Sequence, residues 1–380
     1  MKKVGILTFH YTNNYGGVLQ AIALQKIIEN LGHDAEIINF IPAGYSPEEA
    51  LFFKRVLKRD IRKLLKGSLD LSIFKADNWN LAEKRKHICV ISEKTEEFRR
   101  ENTRVSKRVN SNELDSILCQ YDVLISGSDQ IWNPSQRKKR EYFLDFGEKY
   151  KGLKISYAAD STTADVSEED YERCKKALDD FDYITVRNNH TKEFVKNLTG
   201  KDVPVVADPT LLFDFKAKKP EGCGEYILAY VIGSEIRGGH KKAIEKIQKT
   251  YGNMPVLLIK DYAVNSAPTD FADEVLSDVG PQEWLDLMKG ASFVYTDSFH
   301  GTIFAIKSKK PFIAYYTETL RATRFLDMGQ RYGIEKFIVG SVENIDVKNS
   351  LKLIPDYDLI SSLLDEHKLE SIQLLKNVLG

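Results

Sequence analysis

The sequence predicts an α/β protein built from two doubly wound domains with parallel sheets. Its 380 residues exceed what one compact core usually accommodates. Strand-like and helix-like patterns alternate through both halves, an order typical of parallel strands joined by helical crossovers. Between the halves, residues 213–224 (FDFKAKKPEGCG) lose the apolar pattern and carry Pro, Gly and lysines. This composition predicts a linker between two domains.

The first forty residues contain a complete βαβ unit. Residues 4–8 form a short β-like run, and the loop FHYTNNYGG follows. The segment VLQAIALQKIIENLG has an apolar helical face and ends at Gly32, where a helix C terminus favours a left-handed residue. AEIINF then predicts a second strand. Further strands are predicted at residues 122–126, 154–159, 183–187 and 203–207.

The α/β pattern restarts after the linker with YILAYVIG and continues to PFIAYY. The tail has an apolar helical face and predicts a helix that packs back across the domain junction. The predicted organisation is a domain over residues 1–212 with a basic helical insertion at about 45–115, a linker over 213–224, a domain over 225–355 and a terminal helix over 356–380.

Composition narrows the class of protein. Hydrophobic residues at 42% and charged residues at 29% are ordinary for a soluble globular chain. The four cysteines are far apart, without metal-binding or redox spacing, and predict reduced thiols. No segment resembles a signal peptide or approaches the ~20 apolar residues of a membrane span. We therefore expect a cytoplasmic protein with no metal and no nucleic-acid partner.

The net charge of zero conceals a basic segment. Residues 51–110 contain 17 Lys and Arg against 8 Asp and Glu, a local balance of +9. Within it, LFFKRVLKRDIRKLLKG is a basic amphipathic pattern that fits peripheral docking at the inner membrane face. An ordinary helix with solvated lysines is the alternative.

Polar groups follow several predicted strands, at the edge where open α/β sheets bind ligands. After the first strand, FHYTNNYGG places Asn14, Tyr15, Gly16 and Gly17 where a helix N terminus could meet an anion. The loop lacks the G-x-G-x-x-G spacing, which argues against a dinucleotide. A tight turn that needs glycines is the alternative.

The segment LISGSDQIWNP follows another strand with Asp129, Gln130 and Trp132, a combination suited to a carbohydrate subsite. The alternative is that Asp129 caps a helix and Trp132 packs in the core.

Farther along, VYTDSFHGTIFAI places His300 between a strand and a helix. Arg187 ends a third strand, and Arg324 lies near the start of a later helix; an arginine fork suits carboxylate and phosphate. The arrangement predicts a cleft that holds an imidazole, guanidinium groups and a carboxylate.

Four segments together resemble the polysaccharide pyruvyl transferase family: VGILTFHYTNNYGGVLQAIALQKIIENLGHDAEIINF, ISGSDQIWNP, ADPTLL and GPQEWLDLMKGASFVYTDSFHGTIFAIKSKKPF. The resemblance spans roughly residues 7 to 316. It implies a GT-B-like pair of Rossmann-type domains facing across a cleft. It also implies transfer of a pyruvyl group from phosphoenolpyruvate to two hydroxyls of a sugar or lipid-linked oligosaccharide, with formation of a cyclic ketal. Phosphoenolpyruvate is then a co-substrate, and no cofactor is expected.

The resemblance also suggests residue roles. His300 matches the family histidine, and its imidazole suits acid/base work near neutrality. Asp129 would share that work, with the acid and base assignment left open. Many members carry Arg-Leu-His where this chain has Ser-Phe-His, so Arg324 is the expected substitute for that arginine. The expected donor contacts are Arg187, Arg324, Ser298 and Gly301, and the expected acceptor contacts are Asn14, Tyr15, Gly16, Gly17, Gln130 and Trp132.

Two other functions fit parts of the sequence. A GT-B glycosyltransferase that uses a nucleotide sugar commonly carries a glutamate in the helix after the strand, whereas HGTIFAIKSKK has no acidic residue. A non-catalytic glycan-binding homologue is the other alternative, because Ser298 removes one expected cation from the donor site.

Overall fold

The computed structural model of the protein describes residues 1–42, 72–136, 139–260 and 268–380. The first domain is a five-stranded parallel sheet in the order β2-β1-β3-β4-β5. Its strands are β1 (Lys3–Leu7), β2 (Asp34–Ile37), β3 (Val123–Ser126), β4 (Leu153–Ala159) and β5 (Tyr183–Val186). Its helices are α1 (Tyr15–Asn30), α2 (Ser72–Asn102), α3 (Glu168–Asp179), α4 (Asn189–Thr199) and α5 (Pro209–Leu212).

The second domain is a six-stranded parallel sheet in the order β11-β10-β9-β6-β7-β8. Its strands are β6 (Ile227–Val231), β7 (Val256–Lys260), β8 (Glu274–Leu276), β9 (Phe293–Thr296), β10 (Phe312–Tyr315) and β11 (Ile338–Val339). Its helices are α6 (His240–Tyr251), α7 (Pro281–Gly290), α8 (Phe299–Lys307), α9 (Thr319–Tyr332) and α10 (Val342–Val347), and α11 (Tyr357–Leu379) ends the chain. Short 3₁₀ turns lie at Leu114–Gln120, Arg140–Phe143, Gly147–Lys149 and Glu335–Phe337.

The strand orders locate the ligand-binding edge of each sheet. In the first sheet the direction of winding reverses between β1 and β3, and in the second it reverses between β6 and β9. At such a switch point the two following loops diverge and leave a crevice at the carboxyl ends of the strands. The loops after these four strands are therefore the expected ligand-binding elements. The two-domain α/β prediction is confirmed.

The terminal helix packs back on the first domain, as predicted. Leu375 and Leu379 of α11 belong to the same apolar cluster as Val4 and Ile6 of β1. The backbone N–H of Ala207 donates to Ser371 Oγ at 2.9 Å. Because α11 also packs on α9 of the second domain, its burial ties the two domains together.

The long helix α2 also spans the domain junction. On the first domain, Asn13 Nδ2 donates to Ser92 Oγ at 2.6 Å. On the second domain, Lys94 Nζ lies 2.6 Å from a carboxylate oxygen of Glu283. His87 Nδ1 lies 2.6 Å from Asp278 Oδ1. The described part of the predicted basic insertion therefore contacts both domains.

One predicted strand is shorter in the structure than expected. The strand predicted at residues 203–207 is reduced to one bridge, between Val186 and Val205. The Pro204 nitrogen carries no hydrogen to donate to a ladder, which shortens the pairing.

The amphipathic pattern of residues 51–66, which carries the membrane-docking prediction, lies outside the described residues. Among the described helices, none has the length and apolarity to cross a bilayer.

Candidate active site

A cavity of about 340 Å³ lies between the two sheets, at the switch points of both. The first domain contributes loops that follow β1, β3, β4 and β5, and the second contributes loops that follow β6 and β9 together with α9. Its lining residues are Asn14, Asp129, Gln130, Asp160, Thr162, Asn188, His190, Ile232, Ser298, Phe299, His300, Thr323 and Arg324. A cavity lined mainly by polar and charged residues thus lies where the strand ends predict a cleft.

Three helices begin at this cavity. Their N-cap residues Asn14, Asn188 and Ser298 all line it and cap α1, α4 and α8 respectively. Each cap accepts a backbone N–H of the first helical turn, such as Gly17 N–H on Asn14 Oδ1 at 3.0 Å. Helix N termini carry a partial positive charge. With the guanidinium of Arg324, they make the cavity suitable for an anionic ligand.

Beneath the cavity, one buried arginine holds three carboxylates. Arg187 Nη1 lies 3.0 Å from Asp208 Oδ2, and its Nη2 lies 2.5 Å from Asp160 Oδ2 and 3.3 Å from Asp129 Oδ1. The side chains of Arg187 and Asp160 are 2% exposed, and that of Asp208 is fully buried. The guanidinium also lies 4.7 Å from the ring centre of Phe299. Arg187 therefore organises acidic side chains that come from three different loops.

The charges in this cluster keep each other ionised. Burial would raise the pKa of Asp208, but the neighbouring His300 imidazole and the charge of Arg187 outweigh it and hold that pKa well below its ordinary value. Burial acts in the same direction on Asp160, and Arg187 likewise outweighs it and lowers the pKa. Burial opposes the charge of Arg187, yet the carboxylates raise its pKa. Arg187, Asp160 and Asp208 therefore form a charged floor of the site at neutral pH.

His300 comes from the second domain and reaches this floor. It is the second residue of α8 and is 7% exposed. Its Nε2 is buried without a hydrogen-bond partner and lies 3.6 Å from Asp208 Oδ2, slightly beyond hydrogen-bond distance. On the other side of the ring, a Cβ at Gly16 would lie 2.0 Å from Nδ1. Only glycine at the start of α1 leaves room for the ring.

The loop after β3 is shaped to present Asp129. Gly127 has φ +131°, and a Cβ there would lie 2.1 Å from the carbonyl oxygen of Tyr157. Asp129 itself has φ +72°, an uncommon conformation for a residue with a side chain. Such strained backbone is often retained at functional sites. Here it holds one carboxylate oxygen at the edge of the cavity while the side chain still pairs with Arg187.

Six of the residues predicted for the site line the cavity: Asn14, Asp129, Gln130, Ser298, His300 and Arg324. Ser298, at the position where the resemblance predicts an arginine, forms hydrogen bonds with the local backbone and with Thr296. Its Oγ accepts the Gly301 N–H at 3.2 Å, and its own N–H donates to Thr296 Oγ1 at 3.0 Å. Arg324 is the guanidinium that lines the cavity in its place.

Trp132 and Tyr15 do not line the cavity, in contrast to their predicted acceptor contacts. Trp132 is fully buried, stacks on Phe143 and donates from Nε1 to the Tyr142 carbonyl oxygen at 2.9 Å. Tyr15 stacks on Trp284 and donates from its hydroxyl to Val279. Both aromatic side chains gain more from burial in a core than from a wet cleft. We therefore assign them to packing.

Three more residues predicted to contact a ligand do not line the cavity. The amides of Gly17 and Gly301 are taken by the caps Asn14 and Ser298, so neither glycine offers its N–H to a ligand. Arg187 does not line this cavity, and its two terminal nitrogens pair with carboxylates. Its buried side chain could reach a ligand only by breaking these ion pairs, which would leave buried carboxylates uncompensated.

Sequence reasoning missed several residues of the site. Asp160 follows the predicted strand at residues 154–159, and Asp208 follows the predicted strand at residues 203–207. Both could therefore have been found by looking for polar residues at the ends of strands, which is how Arg187 was found. Asn188 and His190 follow Arg187 directly and line the cavity. Nε2 of His190 is buried and has no hydrogen-bond partner. Phe299, Thr162, Thr323 and Ile232 had no distinguishing pattern.

Solved structures that are similar to the protein cover nearly its whole length. The Arabidopsis thaliana UGT89C1 in complex with UDP-L-rhamnose is 11% identical, with a TM-score of 0.52 over 99% of this chain and 98% of that chain. A putative UDP-N-acetylglucosamine 2-epimerase from Listeria monocytogenes is 10% identical, with a TM-score of 0.51 over 96% and 90%. This chain spans 66% of the length of an O-GlcNAc transferase mutant from Thermobaculum terrenum, at 11% identity and a TM-score of 0.49. The protein has a GT-B-like fold.

The sequence matches the profile of the polysaccharide pyruvyl transferase family over residues 14–319. That match covers most of the chain, including every residue that lines the cavity except Thr323 and Arg324. The chain belongs to the polysaccharide pyruvyl transferase family and is a transferase. The family implies a polysaccharide or sugar acceptor. No curated protein sequence matches the chain.

Proposed function

We propose that the protein transfers a pyruvyl group from phosphoenolpyruvate to two hydroxyls of a sugar in a cell-surface polysaccharide precursor and forms a cyclic ketal. One observation supports this most strongly: three helix N termini, Arg324 and a buried imidazole converge on a single polar cavity. Phosphoenolpyruvate carries a carboxylate and a phosphate, so it needs cationic surroundings. Its chemistry needs a proton donor in the same place.

The reaction can be written so that its protons balance. A proton adds to the methylene carbon of phosphoenolpyruvate, which makes C2 electrophilic, and a sugar hydroxyl attacks C2 and loses its proton to a base. The C2–O bond to phosphate then breaks, and the second hydroxyl closes the ketal ring while its proton leaves with phosphate. One acid and one base suffice, because the proton consumed at carbon equals the proton lost by the first hydroxyl.

The residues suit these steps. His300 places an imidazole at the cavity, a group that can serve as either acid or base. Asp129, with its side chain 20% exposed at the cavity edge, orients the acceptor or accepts its proton. Arg324 and the N termini of α1, α4 and α8 stabilise the donor and the departing phosphate. Gln130 and Asn14 line the cavity with groups that can hydrogen-bond sugar hydroxyls.

The test of this function is direct. The purified protein is incubated with phosphoenolpyruvate and a pooled panel of galactosides, mannosides and glucosaminides, and phosphate release and product mass are measured. Acceptor-dependent phosphate release with the mass gain of a pyruvyl ketal supports the proposal. Calorimetry with phosphoenolpyruvate and with UDP-sugars decides the donor. Binding of a UDP-sugar without binding of phosphoenolpyruvate would replace this proposal with a glycosyltransferase.

Arg324→Gln is expected to weaken binding of phosphoenolpyruvate at least about tenfold, since a guanidinium–anion contact contributes more than a neutral hydrogen bond. Calorimetric titration of donor into the variant measures the effect. Arg108→Gln, at an exposed position of the first domain, is the matched control and should keep the affinity of the unsubstituted protein. Equal affinity of both variants for phosphoenolpyruvate would show that Arg324 does not bind the donor.

Gly16→Ala is expected to lower kcat by about tenfold or more, because a Cβ would lie 2.0 Å from His300 Nδ1 and displace the ring. Alanine otherwise favours a helix over glycine, so the thermal midpoint should fall little. Steady-state kinetics with a thermal melt separates the two effects. Gly224→Ala, whose Cβ would meet nothing within 4 Å, controls for the substitution itself; a kcat that is unchanged in both variants argues against the ring position described above.

A further inference from the structure

Asp208 is the one carboxylate of the buried cluster that faces the imidazole of His300. We propose that Asp208 is a positioning residue that sets the orientation and tautomer of His300, and that this pair exists only because the two domains meet. Its catalytic meaning rests on the pyruvyl transfer proposed above. The pair itself is a structural claim that can be tested without turnover.

Both oxygens of Asp208 are held in place. Oδ1 accepts hydrogen bonds from the Thr210 backbone N–H at 2.9 Å and from the Thr210 hydroxyl at 2.6 Å. Oδ2 lies 3.0 Å from Arg187 Nη1 and 3.6 Å from His300 Nε2. The carboxylate is fully buried and caps α5. A group with so many fixed contacts cannot turn away, so the imidazole that meets Oδ2 is oriented by it.

The carboxylate also selects which ring nitrogen carries the proton. An anionic oxygen next to Nε2 favours an N–H on that atom and opposes a lone pair there. Nδ1 then holds the lone pair of the neutral ring and is the atom that can take up a proton, and it lies beside Gly16, whose lack of a side chain leaves room for the ring. The separation of 3.6 Å is typical of a catalytic contact that shortens when the ligand binds.

The surroundings of the ring single out Asp208. From α1, the uncharged backbone of Gly16 lies against the ring. The other charged or titratable groups nearby are Asp129, His190 and Arg324, which line the cavity, and Arg187 beneath it. Among the described residues, Asp208 is the acidic side chain with an oxygen within 4 Å of a His300 ring nitrogen.

The pair crosses the domain junction. Asp208 lies in the first domain shortly before residues 213–224, whereas His300 starts α8 of the second domain. A carboxylate from one domain therefore completes the acid/base group of the other. Any movement that separates the domains separates the pair, so proton transfer is coupled to the closed arrangement of the cleft.

The test compares Asp208→Asn with Asp160→Asn. Both substitutions remove a carboxylate from Arg187, but only the first changes the group that faces His300. Nitrogen NMR of ¹⁵N-histidine-labelled protein reads the tautomer directly, with His300 assigned by loss of its signals in His300→Asn. We expect an Nε2–H tautomer in the unsubstituted protein and in Asp160→Asn, and a shift toward Nδ1–H in Asp208→Asn. In kinetics, Asp208→Asn should lower kcat by about 10²-fold or more with a smaller change in the KM for donor.

An Nδ1–H tautomer of His300 in the unsubstituted protein overturns the proposal, and this measurement needs no variant to fold. The same tautomer in Asp208→Asn as in the unsubstituted protein also overturns it. The expected tautomer change in a protein that never releases phosphate from phosphoenolpyruvate would support the pair and reject the pyruvyl transfer. The two proposals can thus fail separately.

Discussion

Replacing His300 by asparagine is expected to lower kcat for pyruvyl transfer by about 10²–10⁴-fold, the usual contribution of a positioned acid or base. The imidazole lines the cavity within reach of a ligand, whereas an asparagine cannot exchange protons near neutral pH. Donor affinity should change little, because the helix N termini and Arg324 remain. Phosphate release in steady state, with donor calorimetry, measures both quantities.

His33→Asn is the control for this prediction. His33 accepts the Lys2 N–H far from the cavity, and its replacement should leave kcat unchanged. Circular dichroism and a thermal melt establish that both variants are folded. A folded His300→Asn protein with kcat near that of the unsubstituted protein would show that His300 is not the acid or base.

Arg187→Met is expected to lower the free energy of unfolding by about 3–5 kcal/mol, the usual effect of removing one partner from a buried ion pair. The substitution leaves the buried carboxylates of Asp160 and Asp208 without their common cation. Urea denaturation at neutral pH measures the loss. Arg187→Lys keeps the charge but not the planar fork, so its free energy of unfolding should fall less than that of Arg187→Met.

The loss caused by Arg187→Met should also depend on pH. The pKa values of Asp160 and Asp208 lie below their ordinary values in the folded protein, because the neighbouring cations outweigh burial. A carboxyl with a lowered folded pKa contributes stability above its unfolded pKa, near 4, and loses that contribution as the pH falls toward the folded pKa. In the variant, burial without the cation raises the pKa of these carboxyls, so they take up protons at a higher pH than in the unsubstituted protein. The difference in unfolding free energy between the two proteins should therefore shrink as the pH falls toward and below about 4.

Arg100→Met serves as the control for stability. Arg100 pairs with Glu97 on the surface of α2, with its side chain 75% exposed. Exposed pairs contribute little, so the change in unfolding free energy should be within about 1 kcal/mol. A similarly small change for Arg187→Met would mean that the cluster of Arg187 and the carboxylates does not stabilise the fold.

The sequence was sufficient for the architecture because the patterns that specify it are local. Alternating strands and amphipathic helices predict parallel sheets, and each carboxyl strand end marks the ligand edge. His300, Asp129 and Asn14 were found in this way, since each directly follows a strand or opens a helix. The family resemblance added the chemistry, which no local pattern contains.

The roles of Trp132 and Arg187 depended on whether each side chain points into the core or into the cavity. Trp132 lies three residues beyond Asp129, yet it turns into the core beside Phe143 while Asp129 stays at the cavity. Arg187 ends a strand as predicted, but three acidic loops converge on it and bury it. Sequence spacing specifies neither outcome, because the partners lie elsewhere in the chain, about 10 residues away for Trp132 and about 20 to 60 residues away for Arg187.

The sequence by itself determined the α/β class, the two-domain division, the edge of each sheet at which the cavity lies and the family, because hydrophobic periodicity and short motifs are properties of neighbouring residues. Only the tertiary structure decided that Arg187 is a buried organiser, that Ser298 is a helix cap and that Asp208 faces His300 across the domain junction. These facts arise from contacts between distant segments, where burial and charge pairing select one partner among several chemically suitable side chains.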